Sequence, residues 1–243
     1  MLSVTPLGVG DAFSALYYSS CLAVECDGVR LLIDCPHPIR KILRESGAGL
    51  DVGDFHALLL THLHADHCSG LEGWGYFSFF ALQQKAVLYA HPLVLERLWA
   101  GHLAAGMEQL MHAIDQPPAA KQLDDYFDTR ALDTDAAVTI GPFEVECRRT
   151  IHHVPTTALR IRANGRCLGY SADTAFDPEL IDWLDAADLI VHETNFGVHT
   201  PYEKLAALPA RVRDKMRLIH YPDSFDVAAS TIECVRQGQR YDV

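Results

Sequence analysis

Short apolar or alternating runs dominate the first sixty residues. Ser3–Leu7, Cys21–Cys26, Val29–Asp34 and His56–Leu60 have the length and two-residue period of strands. Asp27-Gly28 between the second and third is a two-residue hairpin signal. Ile39–Glu45 has helical spacing and runs into the turn-rich Ser46-Gly47-Ala48-Gly49. Residues 70–130 read as mostly helical: a short strand at Ala86–Ala90, helices around Pro92–Leu103 and Met107–Ile114, then a break at Pro117-Pro118. Trp74, Tyr76, Phe77, Phe79 and Phe80 crowd one stretch, which suits a core-facing helix or, alternatively, a substrate-pocket wall.

Strands return from residue 136. Ala137–Ile140 and Phe143–Arg149 are followed by Thr156–Ile161 and Cys167–Ser171, a hairpin across Asn164-Gly165. A helix at Pro178–Leu184, a strand at Leu189–His192, a helix from Tyr202, a strand at Met216–Tyr221 and a terminal helix complete the pattern. The order is β-rich and then β/α, twice over, as two similar halves packed through their sheets would require. No linker stands out. The expectation is one domain over 1–243, with a helical insertion around 70–130.

Composition narrows the class. Hydrophobic content of 49% and charged content of 21% are those of a globular chain. No apolar run reaches the length of a membrane span. Met1–Pro6 lacks the basic-then-apolar pattern of a secretion signal, so the expected location is the cytoplasm. Seven scattered cysteines without a CxxC pair suit reduced thiols. A net charge of −12 disfavours long nucleic acid as a partner and favours a small-molecule substrate. Histidine is the anomaly, at thirteen residues.

Their placement points to chemistry. The buried strand ending at Leu60 runs directly into Thr61-His62-Leu63-His64-Ala65-Asp66-His67. On a loop at a strand's C-terminal end, His62 and His64 lie on one side of an extended segment, as the two-residue period requires. Asp66 and His67 follow a bend and can face a second ion. Imidazole and carboxylate donors without thiolate suit zinc, manganese or iron(II). Cys68 directly follows them and reads as a small buried residue.

The run His62-Leu63-His64-Ala65-Asp66-His67 matches HxHxDH, the signature of the metallo-β-lactamase superfamily. Other elements resemble that family in order along the chain: Leu7-Gly8-Val9-Gly10, Leu31–Cys35, His152–Thr157, Tyr170–Thr174 and Ile219-His220-Tyr221. The resemblance implies an α/β fold, the four-layer αββα sandwich, holding two divalent metal ions, zinc first with manganese or iron as alternatives. Carried over by position, His62, His64 and His152 would hold one ion. Asp66, His67 and His220 would hold the second, with Asp173 bridging. His152 is favoured over His153 because it stands three residues before Pro155, as in the RNase Z-like branch. Asp34 falls where the family supports its ligand histidines from behind.

The branch is narrowed by two departures and one match. Aspartate at 173 rather than cysteine argues against the zinc β-lactamases, and HxHxDH rather than HxExD argues against the diiron flavoproteins. Leu189–Thr200 looks like the paired HEAT and HST motifs of RNase Z and related phosphodiesterases. By that resemblance Glu193 orients His199, which protonates the leaving oxygen as general acid; Asp66 counts with them as catalytic as well as a ligand. His192 reads as packed at its strand end or as support for the ligands. RNase Z proteins carry a long arm between the third histidine and the bridging aspartate; here only a short hairpin separates His152 from Asp173. The expectation is therefore a dinuclear metal-dependent hydrolase acting on a small phosphodiester or cyclic phosphate. The alternatives are a lactone or carboxylic ester hydrolase on the same metal core and a diiron redox protein. The resemblance also implies a homodimer, which no residue pattern establishes.

Overall fold

A computed structural model describes residues 1–47 and 49–243. Ala48, within the turn read at Ser46–Gly49, lies outside the described residues. Two mixed sheets form the frame. The seven-stranded sheet runs in the order Tyr241–Asp242, Ser3–Gly8, Cys21–Cys26, Val29–Ile33, Ala57–Leu60, Ala86–Ala90, Phe127–Ala131. The six-stranded sheet runs Met216–Ile219, Leu189–Glu193, Arg166–Tyr170, Thr157–Ala163, Phe143–Arg149, Val138–Ile140.

The strict side-chain alternation of a strand explains the layering. Leu31, Ile33, Ala57 and Leu59 enter a core shared with the second sheet, together with Val145, Leu159, Leu168 and Ile190. Their neighbours Leu32, Leu58 and Leu60 point the other way, onto Ile42 and Leu43 of the helix Ile39–Glu45 and onto Leu71 and Trp74 of the helix Leu71–Phe80. Leu180 and Leu184 of the helix Pro178–Leu184 join the core on the second sheet's side. The result is helix, sheet, sheet, helix.

Both expected hairpins form. Asp27 and Gly28 have φ of +51° and +80°, and Asn164 and Gly165 have +51° and +74°, the left-handed pairs that a tight two-residue turn demands. Three local expectations fail. The chain after Ile219 forms no terminal helix among the described residues; Asp226 instead accepts the N–H groups of Ala228 and Ala229 in a turn. Tyr241–Asp242 ends the chain as an edge strand on Ser3–Gly8. The helix expected at Met107–Ile114 is confined to Ala104–Met107, where Tyr76 and Tyr126 hydroxyls donate to the carbonyls of Gly106 and Met107. The span 70–130 also contributes a strand at Phe127–Ala131. Its paired Asp128 and Arg130 mask it in a polarity reading, because an edge strand leaves charged positions exposed.

These features bring one edge of both sheets together. Cys35 N–H donates to His67 O and Gly70 N–H donates to Cys35 O, both at 2.7 Å, clipping the histidine turn to the end of the strand Val29–Ile33. A Cβ on Gly70 would lie 2.6 Å from the Pro36 carbonyl oxygen, so only glycine permits this approach. Across the gap, Thr157 N–H reaches Thr61 O at 3.3 Å, and His220 N–H reaches Val9 O at 2.8 Å.

Candidate metal centre

Each expected site residue except His199 sits at or just past the end of a strand on this common edge, and His199 lies in the turn after Leu189–Glu193. Thr61–His64 continue the strand Ala57–Leu60 as extended chain, and Ala65–Cys68 then make one helical turn. His152 follows Phe143–Arg149, Asp173 follows Arg166–Tyr170, Glu193 closes Leu189–Glu193 and His220 follows Met216–Ile219. Three positions at the site take left-handed backbone: Asp34 (φ +61°), Ala172 (+49°) and His220 (+58°). Such residues cost on the order of 1–3 kcal/mol each and persist only where the surroundings over-determine them.

Three groups of donor atoms result, each drawn together within 4.8 Å: two share Asp173, and a third, Glu193, His199 and His220, shares His220 with the second. In the first, His64 Nδ1 lies 3.2 Å from His62 Nε2 and 3.0 Å from His152 Nε2, while Asp173 Oδ2 lies 3.7 and 3.6 Å from the latter two. In the second, His67 Nε2 lies 3.2 Å from Asp66 Oδ2 and 3.3 Å from Asp173 Oδ1. His220 Nε2 lies 3.2 Å from Asp66 Oδ2 and 3.6 Å from Asp173 Oδ2. Asp173 belongs to both. His152 enters the first cluster, whereas His153 lines the cleft outside it.

The donors fit cations. A tetrahedral ion with bonds of about 2.0–2.1 Å spaces its ligands about 3.3 Å apart, close to the separations here. His67 Nε2 and Asp173 Oδ1 are fully buried and lack hydrogen-bond partners, an arrangement that is costly without a cation between them. Electrostatics divides the clusters. Burial holds His62, His64 and His152 below the ordinary histidine value, His152 at about 4, so all three are neutral with free lone pairs. Burial opposes charge on His67 and His220 as well, but Asp173 and Asp66, with Asp34 acting on His67, override it. His67 stands well above its ordinary value and His220 is pushed up to about 9. The carboxylates there attract positive charge, whether protons or metal. Metal retention is therefore expected to fall as pH falls, because protons compete for the same donors. Metal analysis after dialysis at graded pH checks this; retention that is flat, or that rises on acidification, would contradict it.

One buried carboxylate braces a histidine in each cluster. Asp34 accepts from His67 Nδ1 at 2.8 Å and from the Thr61 backbone N–H at 2.9 Å. The Thr61 hydroxyl, 2.9 Å from Asp34 and 2.9 Å from His62 Nδ1, has a single proton. Given to the stronger acceptor, Asp34, it leaves Thr61 accepting from His62 Nδ1–H and aims the Nε2 lone pair into the cluster. Asp34→Asn is expected to weaken metal affinity about 10–100-fold. Competition with a chromogenic chelator measures this; unchanged affinity would remove the bracing role.

Glu193 and His199 form the remaining constellation. Glu193 Oε1 accepts from Thr174 N–H at 2.7 Å and from His199 Nδ1 at 2.9 Å. Burial pulls His199 down, but the hydrogen bond and charge of Glu193 outweigh it and raise the imidazole above its ordinary value. Glu193 Oε2 also faces His220 Nδ1 at 3.9 Å, a link between the acid pair and the second cluster that sequence reasoning missed. His192 is packed at its strand end, its Nδ1 donating to Glu193 O, and belongs to neither cluster. Cys68 is buried, with its thiol pushed up to about 12 by that burial, and is likewise outside both.

The clusters open into a cleft of about 610 Å³ whose rim includes Phe13, Ser19, Ser69 and Asn195. None of the aromatics from Trp74 to Phe80 reaches it; Trp74 packs against Phe55, Tyr76 and Phe79 against Tyr126, Phe80 against Tyr76 and Phe79, and Phe77 lies under the Arg40 guanidinium. Thr61 and Thr174 were also missed as supports. A polar residue ending an otherwise apolar strand is the one signal that marks Thr61. All seven cysteines are buried and free. No helix among the described residues is long and apolar enough to cross a membrane.

Fold and donor clusters together define a protein of the metallo-β-lactamase fold with a candidate metal centre. The backbone is similar to the metallo-β-lactamase fold protein YhfI from Bacillus subtilis (TM-score 0.78, 20% identity, 99% of this chain and 98% of that one). It is also similar to the short form of human tRNase Z (TM-score 0.71, 22% identity, 99% and 98%). The family model described as Anti-Pycsar protein Apyc1 matches residues 2–241, and the chain belongs to that family. It is 31% identical over 253 residues to the Anti-Pycsar protein Apyc1 of Saccharibacillus brassicae, with 100% of both chains covered.

Proposed function

We propose that this protein is a phosphodiesterase acting on a small cyclic phosphodiester, a cyclic mononucleotide, with two divalent cations, zinc first. The observation that carries this reading is the Glu193–His199 pair beside the two donor clusters. With Nδ1 held by Glu193 at 2.9 Å, His199 keeps Nε2 to hold the proton that an alkoxide leaving group requires. Thr174 N–H fixes the same carboxylate oxygen, and Thr200 Oγ1 donates to Thr174 O at 2.9 Å, so the two loops that carry the pair are tied together. His62, His64 and His152 would hold one ion, Asp66, His67 and His220 the other, and Asp173 both. When bound, such a pair lowers the pKa of water and offsets charge on phosphoryl oxygens.

Cleft size and charge support a small substrate over a polynucleotide. A cavity of about 610 Å³ suits a mononucleotide. A net charge of −12 opposes a long polyanion. Membership of the Anti-Pycsar Apyc1 family also fits a cyclic-nucleotide-degrading enzyme. The test is metal analysis of the purified protein, followed by a panel of 3′,5′-cyclic nucleotides, bis(p-nitrophenyl) phosphate and lactones with that metal restored. Metal-dependent opening of cyclic nucleotides is the expected result. Turnover confined to lactones would overturn the reading.

A further inference from the structure

Phe13 lines the same cleft as His64, Asp66, Asp173, His199 and His220, yet it is 92% exposed. An aromatic ring left in water gains nothing for folding, and the surrounding loop is not loose. Phe13 N–H donates to Asp11 Oδ1 at 3.0 Å. The buried Asp11 also accepts from Asn195 Nδ2 at 3.0 Å, joining this loop to the one that carries His199. On the far side, Ala15 N–H donates to Asp223 Oδ2 at 2.7 Å, and Tyr17 packs edge-on against Tyr221 at 5.6 Å. The backbone is therefore pinned on both sides of a ring that no other part of the described chain covers.

The geometry points to Phe13 as a substrate-binding residue, a platform on which the base of a cyclic mononucleotide stacks while its phosphate lies at the metal centre. This rests on the phosphodiesterase reading and adds the substrate's aromatic half to it. A flat hydrocarbon face beside a phosphate site suits a base because every base has a π-face, and such stacking tolerates differences in base identity. Asn195 is committed to the loops, its Oδ1 accepting from Phe196 N–H and its Nδ2 donating to Asp11.

The experiment compares a 3′,5′-cyclic nucleotide with the base-free ribose 3′,5′-cyclic phosphate in wild type and in Phe13→Ala, Phe13→Leu and Phe13→Tyr. The expected result is a KM for the nucleotide raised about tenfold in Phe13→Ala, with kcat little changed. The base-free substrate should be unaffected, Phe13→Leu should restore little, and Phe13→Tyr should restore most of the loss. Equal effects on both substrates, or none on either, would overturn the stacking role and leave the phosphodiesterase reading intact. A change of oligomeric state in Phe13→Ala on size-exclusion chromatography would overturn it too, by assigning the ring to a subunit contact. A wild type inactive on both substrates would sink the phosphodiesterase reading, and this inference with it.

Discussion

Asp173→Ala is expected to lower kcat/KM by at least about 10³-fold, in line with the several kcal/mol that metal charge contributes to such reactions. The reason is its shared position. Its Oδ1 faces His67 at 3.3 Å and its Oδ2 faces His62, His152 and His220 at 3.6–3.7 Å, so one truncation removes a donor from both clusters. Its backbone role survives, because Thr150 Oγ1 donates to the Asp173 carbonyl and not to the carboxylate. The variant should fold, keep its circular dichroism spectrum and bind substantially less metal. A variant that binds the wild-type complement and retains most activity would show that the two clusters are not one centre.

His199→Ala should separate chemistry from metal binding. His199 groups with Glu193 and His220 but with neither cluster built around Asp173, so the metal held by those two clusters is expected to stay at the wild-type level. Loss of a general acid lowers kcat by about 10²–10⁴-fold where the leaving group is an alkoxide. With bis(p-nitrophenyl) phosphate the loss should be far smaller, because nitrophenolate departs without a proton. The pH profile gives an independent reading. A general acid works only while protonated, so wild-type activity should decline as pH rises through the His199 pKa, which Glu193 raises above the ordinary histidine value. That alkaline limb should be absent from the variant. Equal losses on both substrates, with the limb retained, would mean that His199 positions substrate and transfers no proton.

The boundaries of regular elements were legible where one physical signal ruled. Cys21–Cys26, Ile39–Glu45, Ala86–Ala90, Phe143–Arg149 and Pro178–Leu184 form where the periodicity and turn residues place them. Reading failed where long-range contacts outweighed local pattern. Ile232 and Val235, three apart, suit one face of a helix, yet the segment is paired instead with a strand, because Leu218 N–H donates to Glu233 O and Val235 N–H donates to Leu218 O. The Met107–Ile114 expectation failed for a similar reason, since the hydroxyls that capture the helix end come from Tyr76 and Tyr126, far away along the chain.

By itself, the sequence determined the donor types and half of their geometry. His62 and His64 two residues apart on extended chain, with Asp66 and His67 in the next turn, already point toward two different donor clusters, because backbone periodicity is a local property. Bringing His152, Asp173, Glu193, His199 and His220 to the same edge is not local. It depends on two sheets packing face to face and on left-handed turns at Asp34, Ala172 and His220 that no short-range preference dictates. The choice of His152 over His153 needed distances to His64, and Asp34's hold on a histidine in each cluster needed the Thr61 hydroxyl between them. Phe13 was invisible in the sequence for a simpler reason. A lone aromatic in a loop is ordinarily buried somewhere, and only the folded chain shows that this one faces the cleft uncovered.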